Sequence, residues 1–489
     1  MVRAKRTKNP ARAPSPARTL LMLSVLAAAV LAAAAVGTAW FLDSRGVTPR
    51  ALAPYVAKRS SGHNQAIEQS GKWMQRTLIS LDRGSLYAGD DGLLQMRPGA
   101  QARAAPPLAV RALAVSSVAQ LREAMAGAMP GDVITLAPGE YAIMRGELGA
   151  RRPGAEGSPI VVRAERPGTA VIEMGITEGF KVTAPHWTFE NLTIRGTCKY
   201  QLYCEHAFHV VGNADHFTAR NNTIVDFNSH FKINGRRGDF PDHGAIIGNT
   251  ITNTTIRDTG TAVTLVDLVS GSDWVIRGNV ITDFIKGGGD RISYGVFAKG
   301  AGARNILEQN IVVCEHLLRG PGQRVGMSLG GGGTAKRYCR DRRCITEQDD
   351  SVIRANLIAS CSDDGVYLNS AARSVVSHNT VLDTGGIVVR FAESSAEVEG
   401  NLVDGAIRSR DGGVVRAHDN FDTSIMALYA GSHAVRQLFT GSSVATLDWA
   451  GEPARREAPP AKPAPDLCGG RRPSLPAYGA FEALAGCRQ

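Results

Sequence analysis

The sequence predicts an all-β protein whose strands wind into a parallel β-helix, a solenoid of stacked coils. One phrase carries this prediction: a short alternating apolar strand, an asparagine, a second short strand and then a turn-forming residue. Self-similarity at about 20 to 30 residues, with strands inside each unit, is typical of solenoids. The asparagines of the phrase are Asn191, Asn222, Asn249, Asn279, Asn310, Asn356, Asn379, Asn401 and Asn420.

The spacing of these asparagines sets the size of one coil. Successive asparagines are 31, 27, 30, 31, 46, 23, 22 and 19 residues apart. Stacked coils place equivalent residues about 4.8 Å apart, so we expect a column of asparagines that bond to one another. We expect each of them at a left-handed corner, a conformation that asparagine tolerates. A β-sandwich with asparagine turns is the alternative, but it gives no reason for one phrase to repeat.

The composition agrees with a turn-dense β protein. The chain has 489 residues with 54 glycines, 6% aromatic residues and 20% charged residues, which argues against wholesale disorder. The formal net charge is +10, and six of these positive charges lie in the first 18 residues, which contain no acidic residue. Because the rest of the chain is only mildly basic, we do not expect a nucleic-acid partner.

The amino-terminal region predicts a membrane anchor. Residues 1–18 form a basic leader, and residues 19–42 are 24 consecutive apolar or small residues. Such a run exceeds the apolar region of a signal peptide, about 7 to 15 residues, and suffices to span a bilayer. We expect a single-pass helix in the inner membrane, with the leader in the cytoplasm and the rest of the chain in the periplasm. The alternative is a long signal peptide that is cleaved near Ala39.

The eight cysteines predict disulfide bonds in an oxidising compartment. Two pairs of cysteines are close enough in sequence for each to close a single loop, and a third pair lies within the tail. The two cysteines of the fourth pair each follow a repeat asparagine, on adjacent coils. Zinc is the competing use, but no pair has the CxxC spacing of a zinc site, and eight cysteines allow 105 pairings. The expected pairs are Cys198–Cys204, Cys339–Cys344, Cys468–Cys487 and Cys314–Cys361.

The remaining segments follow from composition and spacing. Residues 43–110 are expected to be a stalk, with an amphipathic helix over 61–81 and a linker beyond it. The β-helix is expected over 111–425, and residues 426–489 form a tail and cap. One spacing exceeds its neighbours by about 20 residues, so residues 330–350 are expected to leave the solenoid as a loop that shapes a groove.

The beginning of the solenoid resembles a known superfamily. Residues 116–125 (SSVAQLREAM) predict a short helix, residues 130–141 (PGDVITLAPGEY) predict a turn, a strand and a turn, and residues 159–164 (PIVVRA) follow as another strand. This order resembles the entry to right-handed β-helices of the pectate-lyase-like superfamily, and it is most similar to polysaccharide lyases of the chondroitinase B and alginate lyase type. The resemblance implies a right-handed solenoid that begins with a capping helix, and residues 476–482 (PAYGAFE) resemble its closing phrase.

A stripe of polar residues predicts a binding groove. Counted back from their coil asparagines, Lys299, Asn369, Arg390 and the pair Arg408/Arg410 occupy one strand position on successive coils, within one residue. The coil step of about 4.8 Å is close to the length of one sugar. The stripe therefore suits an acidic polysaccharide lying along the solenoid axis. The alternative is a charged face that only keeps the strand soluble.

The resemblance assigns chemistry to this stripe. Residues 296–306, which contain Lys299, are similar in placement to the segment that bears the lyases' catalytic base, and Tyr367 and Arg390 are the other candidate catalytic residues. The lyases' catalytic arginine has no counterpart in residues 326–331 (GMSLGG), and their acidic calcium ligands are missing from residues 291–295 (RISYG). No metal or other cofactor is therefore expected.

Two further groups of residues have alternative explanations. Residues 362–365 (SDDG) resemble the paired aspartates of pectin-type glycoside hydrolases, although aspartate and glycine before a strand are also ordinary turn residues. The candidate substrate-binding residues are Asn369, Arg408, Arg410, Glu347 and Asp364. A cluster of polar residues in the early coils forms either a metal or acid–base site or a scattered set on the surface: His206, His209, His230, Asp242 and His243.

The sequence therefore predicts an exported, membrane-anchored β-helix that acts on an acidic, uronate-containing polysaccharide. The favoured activity is β-elimination or C5-epimerisation, since both begin with removal of a proton next to a carboxylate. A non-catalytic carbohydrate-binding or scaffold solenoid is the main alternative, and a glycoside hydrolase is the third. The sugar and the oligomeric state stay open.

Overall fold

The computed structural model describes residues 16–83, 91–100, 109–331, 333–441, 443–460 and 464–488. The chain forms two compact units, Met1–Val47 and Thr48–Gln489. The first unit contains helix α1 (Pro16–Arg45), in which the segment Leu20–Arg45 is long and apolar enough to cross a membrane. The basic leader predicted over residues 1–18 lies mostly outside the described residues.

In the second unit, the described strands wind into three long parallel sheets, and each coil contributes one strand to each sheet in turn. Sheet A contains Arg111–Val115, Asp132–Leu136, Ile160–Ala164, Trp187–Glu190, Thr218–Arg220, Ala245–Ile247, Val275–Arg277, Ile306–Glu308, Val352–Arg354, Ser374–Ser377, Ser395–Glu399 and Val414–His418. Sheet B contains Gly139–Ile143, Ala170–Met174, Thr193–Gly196, Thr223–Val225, Thr250–Thr252, Val280–Thr282, Ile311–Val313, Leu357–Ala359, Thr380–Leu382, Leu402–Val403 and Phe421–Asp422.

Sheet C is the third long sheet, and it carries the predicted groove. Its strands are Leu148–Ala150, Glu178–Val182, His206–Val211, Phe231–Asn234, Val263–Val269, Ile292–Lys299, Gln323–Leu329, Val366–Asn369, Gly386–Arg390 and Ala406–Arg410. A small parallel sheet joins Gly302–Ala303, Gln348–Asp349 and Ala371–Ala372, and Phe439–Thr440 pairs with Asp448–Trp449 in an antiparallel hairpin.

The core is a stack of apolar columns inside the solenoid. In sheet A, the paired residues Ile246, Ile276, Leu307 and Ile353 are each fully buried. Such columns form because the side chains of a strand alternate between two faces, and register keeps equivalent positions above one another. Helix α4 (Val118–Ala126) packs Leu121 and Met125 onto the first coils of this core, and the side chain of Ser117 caps its amino terminus.

The asparagine column is present from Asn222 to Asn420. Asn249 donates from Nδ2 to Oδ1 of Asn279 over 3.0 Å, Asn279 bonds to Asn310 in the same way over 2.9 Å, and the pattern continues to the last coil. The expected left-handed corner was wrong by one residue. The positive φ angle belongs to the residue before each column asparagine, for example Gly278 at 66° before Asn279. In the coil before Asn222, Asn191 is itself this preceding residue, with a φ of 62°, and Leu192 occupies the column position.

The segment predicted as a stalk, residues 43–110, is partly helical, and the amphipathic helix predicted over residues 61–81 is present. Helices α2 (Pro49–Ser60) and α3 (Gln65–Arg83) form a hairpin, followed by a short 3-10 helix, Asp91–Gln95. The hairpin lies against the solenoid because the buried Arg50 bridges Asp82 over 2.8 Å and Asp383 over 2.7 Å. Residues 101–108, most of the predicted linker, lie outside the described residues.

The tail lies along the side of the solenoid and not over its last coil. It contains helix α5 (Ile425–Tyr429) and the 3-10 helices Arg436–Leu438 and Leu484–Cys487. Its apolar residues cover the outer face of sheet B, where they form a second core, because that face is itself apolar. This core includes Val280, Ile311, Leu357, Leu402, Val435, Leu467, Phe481 and Leu484.

All four predicted disulfide bonds are present. They join Cys198 to Cys204, Cys314 to Cys361, Cys339 to Cys344 and Cys468 to Cys487. The Cys314–Cys361 bond links two stacked coils, as predicted from their positions four residues after Asn310 and five after Asn356. Disulfide bonds persist mainly in oxidising compartments, so the β-helix is suited to an extracytoplasmic location.

Candidate functional site

The candidate site is a cleft on the outer face of sheet C. One rim consists of the connections from sheet B to sheet C, chiefly residues 197–205, 253–262, 283–291 and 314–322. The other rim consists of the connections from sheet C to sheet A, chiefly residues 235–244 and the insertion 330–347. The floor of the cleft is formed by the outward residues of sheet C, which repeat at every second position along each strand.

Two lysines share one buried carboxylate on this floor. Lys232 pairs with Oδ2 of Asp267 on the next coil, and the Nζ atom of Lys299 lies 3.3 Å from Oδ1 of Asp267 on the coil after that. Asp267 is only 2% exposed, whereas both lysines remain partly exposed to the cleft. Burial disfavours the charge of Asp267, but the two ammonium groups outweigh it and hold the pKa of the carboxyl below its usual value.

An aromatic pair lies beside this cluster. The Nζ atom of Lys299 lies 4.0 Å from the centre of the Phe297 ring, which stacks on the ring of Tyr294 at 4.3 Å. Burial, and then the proximity of Tyr367, Asp363 and other acidic residues, raises the pKa of Tyr294 to about 12. Tyr294 is therefore a weaker acid than an ordinary tyrosine, and its protonated hydroxyl is available as a hydrogen-bond donor in the cavity.

The predicted insertion lies over this part of the cleft. Nη2 of Arg340 donates to both carboxylate oxygens of Asp242 over 2.6 Å, and Oγ of Ser270 donates to the carbonyl of Tyr338 over 2.6 Å. The insertion forms one wall of an open cavity of about 540 Å³. The cavity is lined by Lys232, Asn234, Gly235, Val269, Tyr294, Phe297, Lys299, Gly331, Gly333, Thr334, Ala335 and Tyr338.

A second polar cluster lies on later coils of the same sheet. Nδ2 of Asn369 donates to the hydroxyl oxygen of Tyr367 over 2.9 Å, and Nη1 of Arg390 donates to the same oxygen over 3.3 Å. Nε of Arg390 also donates to Asp411 over 2.5 Å. Asn369 pairs with Arg390 and Arg390 with Arg410 in register, so three residues of the predicted stripe stack in one column, whereas Arg408 pairs with Val388.

Lys299 does not belong to this second cluster. Its strand is separated from the strand of Arg390 by two others, Gln323–Leu329 and Val366–Asn369. The three steps amount to roughly 14 Å along the axis. The three predicted catalytic residues are therefore divided, with Lys299 in the cavity and Tyr367 and Arg390 farther along the cleft.

Some of the predicted substrate-binding residues are already engaged by the protein. Nη2 of Arg408 donates to Asp364 over 2.9 Å, and both side chains are nearly buried. Glu347 is buried and accepts from the amide and hydroxyl of Thr334 over 3.2 and 2.9 Å, which fastens the base of the insertion. Arg410, in contrast, is exposed at the last strand of sheet C.

The aspartate before Asp364 has an unusual environment. Burial and the neighbouring charge of Asp364 raise the pKa of Asp363 to about 7. Its backbone fits the turn that the sequence suggested, because its amide donates to the carbonyl of Arg324 over 3.1 Å. Asp363 and Asp364 resemble the paired aspartates of a hydrolase in sequence, but here both have a structural role.

The early polar residues are spread over the surface and interior. His206 and His209 lie on sheet C, His230 is buried beneath it, Asp242 bonds to Arg340, and His243 stacks on His216. Among the described residues, no group of three or more histidine, cysteine, aspartate and glutamate side chains is placed to hold a metal ion. The cavity does not suit calcium either, because Asp267, the buried carboxylate beside it, is already paired with two ammonium groups, which leave the cluster positively charged.

Sequence reasoning missed Lys232, Asp267 and Tyr294. The signal for Asp267 was an acidic residue inside the otherwise apolar strand VTLVDLV, where a charge must have a partner. Its partners lie 35 and 32 residues away in the sequence, on either side. Only the register of the coils brings them together.

Comparisons with known proteins support the fold. Residues 248–425 match the family model described as a right handed beta helix region, and no curated protein matches the sequence. The crystal structure of pectate lyase Pel9A superposes with a TM-score of 0.53 at 17% identity, covering 74% of this chain and 90% of that chain.

Two other solved structures were also matched. An alginate lyase from Paenibacillus sp. str. FPU-7 matches with a TM-score of 0.34 at 16% identity, covering 63% of this chain and 99% of that chain. The PL6 family polysaccharide lyase Pedsa3628 from Pseudopedobacter saltans gives 0.37 at 12%, covering 68% and 98%. Together with the three parallel sheets, the family model and the likeness to Pel9A show that this chain is a right-handed parallel β-helix protein with the fold of a pectate lyase.

Proposed function

We propose that this protein acts on a uronate-containing polysaccharide by removing the proton α to a carboxylate, which leads to β-elimination or C5-epimerisation. The observation that carries the proposal is the pair of lysines, Lys232 and Lys299, held on either side of the buried Asp267. With one carboxylate and two ammonium groups, the floor of the cavity carries a net positive charge. A uronate carboxylate is complementary to that charge.

The residues of the cavity divide the reaction between them. Lys232 faces the substrate carboxylate and stabilises the negative charge that develops there as the proton leaves. Nζ of Lys299 can accept the proton from C5 only as an amine, so its ammonium group first gives up one proton to water, while Lys232 and Asp267 keep their charges. In elimination, the electrons of that C–H bond form a C4=C5 double bond, and the C4–O4 bond breaks. The leaving oxygen takes a proton from a tyrosine hydroxyl. Tyr294 is better placed for this role than Tyr367, because Tyr294 lines the cavity that contains Lys299.

The later coils bind the neighbouring sugars. Arg390 is partly exposed beside Tyr367 and Asn369, and Arg410 lies one coil beyond it. Arginine forms strong paired bonds with carboxylates, so these two side chains suit successive uronates. Arg408 and Glu347 act differently from the sequence-based expectation, because they hold Asp364 and the insertion in place.

The apolar helix α1 and the four disulfide bonds support a location outside the cytoplasm. We assign α1 as an uncleaved single-pass anchor of the inner membrane, with the β-helix in the periplasm. In that position the cleft meets envelope or imported polysaccharides. The basic leader before α1 supports this orientation, because basic residues stay on the cytoplasmic side.

The test is a survey of acidic polymers with the full chain in detergent. Alginate, pectate, chondroitin sulfate, dermatan sulfate and hyaluronan are incubated with the protein, and the ultraviolet absorbance of unsaturated uronate ends is followed. The Lys299→Ala variant is measured alongside. We expect the wild type to act on one polymer class and Lys299→Ala to lose about a hundredfold or more of the rate. Lys72→Ala, an exposed lysine on helix α3 and away from sheet C, is the matched control and keeps the wild-type rate. Saturable binding with no chemical change of any polymer would instead establish a carbohydrate-binding solenoid.

A further inference from the structure

The loop over residues 197–205 presents two exposed tyrosines on the rim of the cleft. We propose that Tyr200 and Tyr203 form an aromatic platform for the bound polysaccharide, several sugars away from Lys299, in which one ring stacks on the face of a sugar and the other, nearly perpendicular ring contacts its edge. This inference rests on the proposed function for the class of ligand. It assigns a separate binding subsite that uses no charge on the polymer.

The side chains of this loop are exposed to solvent and are therefore accessible to a ligand. Tyr200 is 59% exposed, Tyr203 is 55% exposed, and Leu202 between them is 40% exposed. The two rings lie 6.3 Å apart at 76°, and the Nζ atom of Lys199 lies 5.3 Å from the centre of the Tyr200 ring. Tyrosine combines an apolar face with a polar hydroxyl, which suits the C–H faces and hydroxyl groups of a pyranose ring.

The backbone of this loop is held by a disulfide bond and by hydrogen bonds, so the exposure of its tyrosines does not result from a flexible backbone. The Cys198–Cys204 disulfide bond closes its base. Nε2 of Gln201 donates to Oγ1 of Thr255 over 2.7 Å, Oε1 of Gln201 accepts from the amide of Asp258 over 2.5 Å, and its carbonyl accepts from Nδ2 of Asn228 over 3.0 Å. A rigid support lowers the entropy cost of binding, because the rings need not be ordered by the ligand.

The loop lies on the same rim as the cavity. It connects sheet B to the strand His206–Val211 of sheet C, and through Gln201 it joins the connection 253–262. That connection continues to the next through the bridge between Arg257 and Lys286. Three strand steps, roughly 14 Å, separate His206–Val211 from Ile292–Lys299, which is about the length of three sugars.

The platform lies on the side of Lys299 that is opposite to Arg390 and Arg410. Seven strand steps separate His206–Val211 from Ala406–Arg410, which corresponds to roughly 34 Å. A polymer that contacts both ends therefore spans about seven sugars. The two ends also differ in kind: the arginine end is weakened by salt, whereas the stacking end is not.

The experiment compares long and short substrates. The variant Tyr200→Ala/Tyr203→Ala is prepared in the full chain, and Tyr55→Ala, an equally exposed tyrosine on helix α2, is the matched control. We expect the double variant to bind the polymer about tenfold more weakly, with unchanged affinity for a disaccharide, which is too short to reach from Lys299 to the platform, and an unchanged melting temperature. The loss of polymer affinity should persist at 0.5 M NaCl, which is roughly five times the salt of an ordinary buffer. Salt screens interactions between charges and does not screen the stacking of a ring on a sugar.

The same comparison is made in the Lys299→Ala background by affinity electrophoresis, which measures polymer binding without turnover. A tenfold loss in that background supports the platform even if no elimination or epimerisation is ever found. Equal polymer affinity of the double variant and the wild type would overturn the platform, and it would leave the proposed reaction at Lys299 unaffected.

Discussion

The Nζ atom of Lys299 lies 3.3 Å from Oδ1 of Asp267, a carboxylate that is buried in the floor of sheet C. The other oxygen of Asp267 pairs with Lys232, so one acidic residue holds two lysines at a spacing set by the coils. A carboxylate at this position costs free energy to bury, and its two partners offset that cost. Such an arrangement suits a site that needs two amines in fixed positions.

Replacing Asp267 tests this arrangement. In Asp267→Asn the two ammonium groups lose their shared anion and repel one another, so we expect at least a hundredfold loss of activity and a loss of about 3 kcal/mol in the free energy of unfolding. Activity on the best polymer and urea denaturation measure the two effects. Asp258→Asn, an exposed surface aspartate, is the control and leaves both unchanged. Unchanged activity in Asp267→Asn would show that the lysines do not depend on the carboxylate.

The insertion should control substrate affinity more than stability. Arg340 fastens it through Asp242 and the carbonyl of Ser270, and its side chain is partly exposed. In Arg340→Ala we expect the Michaelis constant to rise about tenfold, while the free energy of unfolding falls by less than about 1 kcal/mol, because partly exposed ion pairs contribute little. Arg343→Ala, in the same loop but exposed, is the matched control. A fall in kcat with no change in the Michaelis constant would contradict this role.

The asparagine column should carry a measurable share of the stability. Asn279 accepts from the amide and side chain of Asn249 and donates to Asn310 and the carbonyl of Ile246. Asn279→Leu leaves these buried groups without partners, so we expect the free energy of unfolding to fall by about 2 to 4 kcal/mol. Asn420→Leu, at the partly exposed end of the column, should cost less than half as much, because water can replace the lost bonds. Equal costs at the two positions would count against a buried column as the source.

Asp363 should make the fold less stable as the pH rises. Its pKa is raised to about 7, mainly by burial, so the folded state holds this proton more tightly than the unfolded state does. The resulting stabilisation is present below the unfolded value near 4 and is lost as the pH rises through about 7. Asp363→Asn should therefore raise the melting temperature at pH 8 and change it little at pH 4. Thermal unfolding across this range is the measurement, and a uniform shift at every pH would contradict the assignment.

The parts of the fold that repeat could be predicted from the sequence. The asparagine column, the stacking of Cys314 on Cys361 and the register of Asn369, Arg390 and Arg410 all follow from one spacing. A repeat is informative because each coil contacts only its neighbours, so position within the coil fixes position in space.

The parts that do not repeat could not be predicted in this way. Arg50 pairs with Asp383, 333 residues farther along the chain, and no local pattern indicates that contact. The apolar outer face of sheet B resembled ordinary core, so the tail that covers it was expected at the end of the solenoid. The left-handed corner was misplaced by one residue, because the residue before the asparagine varies along the column, from Gly278 to Gln309 and Ala355, and therefore gives no repeating signal.

The fate of the substrate proton at C5 tests the central claim most directly. The wild type, Lys299→Ala and Lys232→Ala are incubated in D₂O with the polymer that gives the strongest response, and the uronate protons are followed by NMR. We predict that the wild type yields either a new signal of an unsaturated uronate or deuterium at C5. Lys299→Ala should yield neither signal while it binds the polymer normally. Lys232→Ala should react more slowly and bind the polymer more weakly. Full retention of either signal in Lys299→Ala would contradict the assignment of Lys299 as the base.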